Sequence, residues 1–138
     1  FVRIGGAPDD TDWRAHLSPM AYKVMRRHAT EPPYSSALNG ETRAGLYRCA
    51  GCDAALYDAA DKFDSRTGWP SFTRPVAAGA IGTRIDFAML VPRTECHCAC
   101  CGGHLGHVFN DGPQPTGQRH CINGVSLRFV PAEGAPAT

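Results

Sequence analysis

Four cysteines stand in two pairs of identical spacing, Cys49-Ala-Gly-Cys52 and Cys98-Ala-Cys-Cys101. A Cys-x-x-Cys turn lets two thiolates reach one ion, and two such turns complete a tetrahedral four-sulfur site. Such a site has no open coordination position, so its expected role is to hold strands together. A single Cys-x-x-Cys can instead be a thioredoxin-type redox pair, but that motif opens a helix after a strand, and neither hook has that setting. Four thiolates also suit iron; the paired spacing favours zinc. Within Cys96-x-Cys98-x-Cys100-Cys101 other pairs can be drawn, but only Cys98 and Cys101 reproduce the two-residue spacer.

Zinc takes four of the seven cysteines and leaves Cys96, Cys100 and Cys121. Cys121 is flanked by Arg119, His120 and Asn123. A neighbouring cation lowers a thiol pKa and populates the nucleophilic thiolate. The Asn123 amide can donate to a polar substrate atom. On local chemistry alone, a buried, inert Cys on a strand is the commoner reading. His104-Leu-Gly-His107 follows the second hook directly. With the ion already satisfied, these histidines suit proton transfer near neutral pH, or one is a structural hydrogen-bonding group. Gly68-Trp69-Pro70-Ser71-Phe72 offers an indole and a phenyl ring. For Phe72 a core position is expected. Trp69 is either a core plug or the wall of a pocket for an S-methyl group.

The elements that position these residues are mainly β. Ser18-Pro19 predicts a helix start, with an apolar side through Met20 and Val24 to about residue 28 and a stop at Glu31-Pro32-Pro33. Candidate strands are 45–48, 54–58, 81–88, 93–98, 105–109, 119–122 and 124–130, the last from the alternation of Val125, Leu127 and Phe129 with polar neighbours. Asn110-Asp-Gly-Pro113 and Pro115-Thr-Gly117 mark turns that return Cys121 toward His104 and His107. The expected class is α+β, mainly β, with antiparallel sheets and a short N-terminal helix. Residues 1–17 are expected to form an arm, 18–131 one domain and 132–138 a flexible tail.

A 138-residue chain with 43% hydrophobic residues suits one core. A net charge of +1 argues against the basic stripe of a zinc-ribbon nucleic-acid binder, and no apolar run reaches the roughly 18 residues of a membrane span. A monomer is expected. The first residue is Phe1 rather than Met, so the native start and any targeting peptide are expected upstream, and the compartment is left open with the cytoplasm as default.

Together, Cys49-x-x-Cys52, Gly68-Trp-Pro-Ser-Phe72, Cys98-x-x-Cys101-x-x-His104-Leu-Gly-His-Val-Phe109, Asp111-Gly-Pro113, Thr116-Gly117 and Arg119-x-Cys121-Ile-Asn123 resemble, in order, B-type peptide methionine-R-sulfoxide reductases. The resemblance runs from about Ser18 to Pro131. It implies two antiparallel sheets with one structural zinc on the far side from the active site. It implies that Cys121 attacks the sulfoxide sulfur and ends as a sulfenic acid. His104 and His107 would donate protons or orient the oxygen, and Asn123, Trp69, Phe109 and Arg119 would hold substrate. Asp111 is expected only to form a turn. Oxidised peptides or proteins are the implied substrates, and thioredoxin or another thiol the reductant. Many members carry a resolving cysteine two residues before the Trp; here Thr67 occupies that position. Cys96, and more weakly Cys100, are then the candidate resolving thiols, unless an external thiol reduces Cys121 directly. His120 replaces the aromatic residue usual before the nucleophile, and strand alternation predicts that it points the other way. The competing reading is a non-enzymatic, zinc-anchored peptide- or protein-binding module, since a scaffold alone does not fix function.

Overall fold

The computed structural model describes residues 9–88 and 90–132; the outer parts of the expected arm and tail, 1–8 and 133–138, lie outside them. Two short helices come first, α1 (Asp10–His16) and α2 (Pro19–Arg27). The strands β1 (Gly45–Cys49), β2 (Ala55–Asp58) and β9 (Leu127–Pro131) make an antiparallel sheet in the order β2-β1-β9. The strands β3 (Lys62–Phe63), β4 (Ser71–Phe72), β5 (Ile81–Asp86), β6 (Arg93–Cys98), β7 (His104–Phe109) and β8 (Arg119–Ile122) make a second, in the order β3-β4-β8-β7-β6-β5. The expected class holds. No helix among the described residues is long and apolar enough to cross a membrane.

The helix read at Ser18-Pro19 forms as the residues dictate: the Ser18 hydroxyl accepts from the Ala21 N–H at 3.2 Å, Pro19 takes the first turn, and His28 ends it in the left-handed region at φ 59°. Its buried side is Ala21, Tyr22, Val24 and Met25, while Met20 faces solvent. The expected arm contains α1. Asp9 and Asp12 cap it reciprocally, at 2.9 and 3.0 Å, and place Trp13 and Leu17 in the core. Two further differences matter. Residues 124–126 form a 3-10 turn rather than the start of a strand. The two-residue strands β3 and β4, too short for any periodicity, pair Ser71 with Cys121.

The core lies between the sheets, where Tyr57 stacks on Phe72 with ring centres 4.4 Å apart and Tyr47 meets the same ring edge-on. Phe72 is fully buried, as expected. On β7, a Cβ added to Gly106 would lie 1.9 Å from the Cys121 carbonyl oxygen, so only glycine lets β7 and β8 approach this closely. Gly106→Ala is expected to cost about 1–3 kcal/mol by forcing these strands apart. Chemical denaturation that reproduced the wild-type midpoint would contradict this.

Candidate active site

The register of the larger sheet sets the site. Cys121 on β8 lies opposite His107 on β7, which lies opposite Glu95 on β6, and Cys121 also faces Ser71 on β4. Directly opposed residues share a face, so these four point to one side. On the other side, Ile122 pairs with Gly106 and Gly106 with Cys96.

His104 and His107 are three apart, which in a regular strand sends them to opposite faces. The ladder breaks that rule. Cys96 pairs with Gly106 but His97 with His104, leaving Leu105 as an extra residue in a bulge. The two imidazoles therefore meet edge-on, with centres 5.5 Å apart. Each is held by a carboxylate: His107 Nε2 donates to Asp86 at 2.9 Å, and His104 Nδ1 donates to Glu95 at 2.7 Å. Burial works to raise Glu95, but the bonds from His104 and His97 outweigh it and hold the carboxyl at about 2. Asp86 is held at about 2, chiefly by the bond from His107. Burial pushes His107 below its ordinary value despite Asp86, so the ring is neutral near pH 7, with Nε2–H on the carboxylate and Nδ1 as its acceptor.

A cavity of about 290 Å³ opens over Cys121. Trp69 and Phe109 form apolar walls; Thr30, Thr67, Arg93, Arg119, His107 and Asn123 supply polar edges. The structure thus brings together Cys121, His107, Asn123, Trp69, Phe109 and Arg119. His104 is behind His107, lining a neighbouring cavity instead. Trp69 is a pocket wall rather than a core plug. Its indole N–H donates to the Glu31 carbonyl at 3.0 Å, which fixes the ring. Asn123 is 3% exposed. Its Oδ1 accepts from the Glu31 N–H at 2.9 Å and its Nδ2 donates to the bulged Leu105 carbonyl at 2.9 Å. It ties the Trp69 support to the histidine bulge.

Sequence reasoning missed Glu31 as more than a helix stop. It is 1% exposed, and its Oε1 also accepts from Val125 N–H. Its partners lie 38 to 94 residues away in the chain, so no local signal marks it. Asp111 is more than the expected turn former. It grips the Arg119 guanidinium at 2.8 and 3.1 Å, and Arg119 lies 4.3 Å over the Phe109 ring. The Asp111-Gly turn eight residues ahead of Arg119 was the available clue.

Burial is the largest influence on Cys121 and pushes the thiol up. The positive Arg119, with hydrogen bonds from Thr67 and Arg119, pulls it back only part way. This corrects the expectation that Arg119 and His120 would leave a low-pKa thiolate. His120 points to the opposite face, where its Nδ1 meets the Tyr57 hydroxyl at 2.9 Å and burial lowers it to about 4. Alkylation of Cys121 by iodoacetamide is therefore expected to be still accelerating at the ordinary thiol value of pH 9.0. Arg119→Ala should move the midpoint higher. A rate already flat by pH 8 would refute this account.

The two candidate resolving thiols do not reach this pocket. Cys96 is fully buried on the core face beside Tyr57. Cys100 is exposed at the tip of the second hook, past the end of β6 at Cys98, itself roughly 10 Å along the strand from the Cys121 level at about 3.3 Å per residue. The position two before Trp69 is Thr67, in the pocket wall.

The hooks lie at the other ends of β1 and β6. One ligand atom from each of Cys49, Cys52, Cys98 and Cys101 falls within 4.8 Å of the others. Cys49 and Cys101 sulfurs are 3.6 Å apart, as are those of Cys52 and Cys98. A tetrahedron with metal–sulfur bonds of about 2.3 Å has edges of about 3.8 Å, so the group fits one metal ion. The Gly51 and Gly103 N–H groups point at the Cys49 and Cys101 sulfurs, at 3.3 and 3.4 Å. Asp53 and Gly102, each just past a hook, take φ of 70° and 75°. Arg26 donates to the Cys101 carbonyl, and His16 lies 3.1 Å from that of Ala50, so both helices clamp the hooks.

The SelR domain profile matches residues 17–131. The chain is 51% identical over 122 residues to peptide methionine sulfoxide reductase MsrB of Agrobacterium fabrum, covering 88% of this chain and 90% of the other. It is 50% identical over 124 residues to the protein of that name from Pseudomonas putida, covering 90% and 93%. With that of Leptospira interrogans it shares 47% over 120 residues, covering 87% and 92%.

Proposed function

The chain belongs to the SelR-domain family of B-type peptide methionine sulfoxide reductases, and from that premise we propose how its residues reduce methionine-R-sulfoxide in peptides and proteins. The observation that carries the reading is Cys121 and His107 opposed on adjacent strands beneath the Trp69 and Phe109 walls. The sulfoxide methyl packs on Trp69, and Phe109 closes the apolar side. Arg119, held by Asp111, and the Thr67 hydroxyl face the sulfur that becomes negative.

His107, neutral and with an acceptor Nδ1, takes the Cys121 proton; Asp86 stabilises the imidazolium that results. The thiolate attacks the sulfoxide sulfur. The proton passes to the sulfoxide oxygen, that oxygen moves to Cys121, and methionine leaves. The balance is one thiol and one sulfoxide giving one sulfenic acid and one thioether. His104 and Glu95 position His107 from behind. Asn123 positions the bulge and, through Glu31, Trp69.

The reducing step is assigned to an external thiol, thioredoxin or a small dithiol. Cys96 lies across the sheet from Cys121 and Cys100 at the far end of β6, which weighs against both as resolving partners. The ion in the four-cysteine site is assigned as zinc, since the four sulfurs leave no open position and the hook spacing suits it. Its contribution is to hold β1, β6 and both helices together.

The reading is tested with a peptide carrying both sulfoxide epimers. With dithiothreitol the R epimer should disappear and the S epimer remain. Mass spectrometry after one turnover without reductant should find one added oxygen on Cys121. Survival of the R epimer, or a Cys121–Cys96 disulfide as the product, would overturn the corresponding step.

A further inference from the structure

Beside the catalytic pocket lies a second cavity, of about 370 Å³, that the reaction does not use. It shares Thr30, Arg93 and His107 with the first. Three potential ligands converge there. His28, Glu95 and His104 each offer one atom, all within 4.8 Å of one another. The His28 and His104 ring centres are 5.1 Å apart. The three come from different elements: the C-terminal cap of α2, strand β6 and strand β7.

Their hydrogen bonding favours coordination. His104 Nδ1 and the Glu95 carboxylate face each other at 2.7 Å across a single proton, and an ion that displaces that proton takes both as ligands. Glu95 is itself steadied by Arg84 at 3.1 Å and His97 at 3.0 Å. Of the cavity's two guanidiniums, Arg93 is paired with Asp86, and Arg84, its side chain 55% exposed, can turn into solvent when an ion takes the Glu95 carboxylate. His28 is exposed at the helix end, and its ring can turn without disturbing the core. Around an ion at about 2.1 Å, tetrahedral ligand atoms stand about 3.4 Å apart, a distance that such a turn supplies.

We propose that His28, His104 and Glu95 form a second, exchangeable site for a divalent transition-metal ion of the borderline class, such as nickel or zinc, separate from the four-cysteine site. Two imidazoles and a carboxylate select that class over magnesium or calcium. Because His104 supports His107, occupancy inhibits the reductase; this consequence rests on the proposed function above, whereas the binding does not.

The test uses the zinc-loaded protein in two backgrounds, each titrated with nickel(II) by calorimetry. Cys121→Ser should still bind one nickel ion, and adding His28→Ala should weaken that binding by about tenfold or more. Separately, nickel should inhibit the wild-type enzyme and a chelator should restore it. His28→Ala alone should turn over at the basal rate and resist nickel. Loss of nickel binding in Cys121→Ser would place the ion on the thiol and overturn the site. Unchanged affinity in His28→Ala would overturn it equally. Binding without inhibition would overturn the coupling to His107.

Discussion

Cys121→Ser is expected to lower turnover of an R-sulfoxide peptide by a factor of about a thousand or more, the scale on which removing a nucleophile acts. The oxygen leaves the substrate only by moving to the attacking atom. A serine hydroxyl is a far weaker nucleophile toward sulfur, and its pKa lies so far above a thiol's that His107 can ionise very little of it. The fold offers no substitute. Cys96 is enclosed on the core face beside Tyr57, and Cys100 sits at the tip of a metal hook. Cys96→Ser and Cys100→Ser should therefore stay within about threefold of wild type in the same dithiothreitol-coupled assay, provided each is soluble and melts cooperatively. The readout is loss of the R epimer by chromatography. Comparable activity in Cys121→Ser would show that the pocket over β8 is not where the chemistry happens. Collapse of activity in well-folded Cys100→Ser would restore that thiol as a resolving partner.

Cys98→Ser is expected to cost most of the folding stability. Structural zinc contributes about 10–16 kcal/mol in small zinc domains, as large as the roughly 5–15 kcal/mol that stabilises a whole domain. Here the four sulfurs join the end of β1 to the end of β6, and so join the two sheets. Both helices lean on the same hooks: Arg26 bonds the Cys101 carbonyl and stacks over Trp13, 4.5 Å from its ring. Wild-type protein should carry one zinc per chain by elemental analysis. Cys98→Ser, or chelation under mild denaturant, should remove it and lower the melting temperature by tens of degrees. Trp13 emission should shift red as its cover opens. A metal-free protein melting at the wild-type temperature would show that the site does not hold the fold.

Features that depend on a few neighbouring residues were legible in the sequence. The hooks were, because a Cys-x-x-Cys turn declares its geometry within four residues. So were the α2 cap at Ser18-Pro19, the strands that carry Cys96 and Cys121, and the turn of His120 to the face opposite Cys121, which follows from strand alternation. Features that depend on pairing were not. Strands β3 and β4 are two residues each and exist only because β8 runs beside β4 and β4 beside β3. Residues 124–126 alternate like a strand but turn, since Ser126 N–H closes on the Asn123 carbonyl at 3.0 Å. Helix α1 was overlooked although Asp9 and Asp12 spelled out its cap.

The sequence by itself determined which atoms can do chemistry here: four thiolates for a metal, three further thiols at Cys96, Cys100 and Cys121, two imidazoles, an indole and a guanidinium. The tertiary structure decided which of them act together. An extra residue at Leu105 turns His104 and His107 to one side, and the sheet separates Cys96 from Cys121. Burial leaves the Cys121 thiol above its ordinary pKa despite Arg119, and only the folded chain places the neutral His107 across from it, which is why the proposed mechanism gives that ring the proton. The physical reason is one of range. Ligand spacing, capping and turn chemistry act over a few residues and are written in order along the chain. Register, desolvation and long-range hydrogen bonds such as Glu31 to Asn123 arise only when distant segments have already packed.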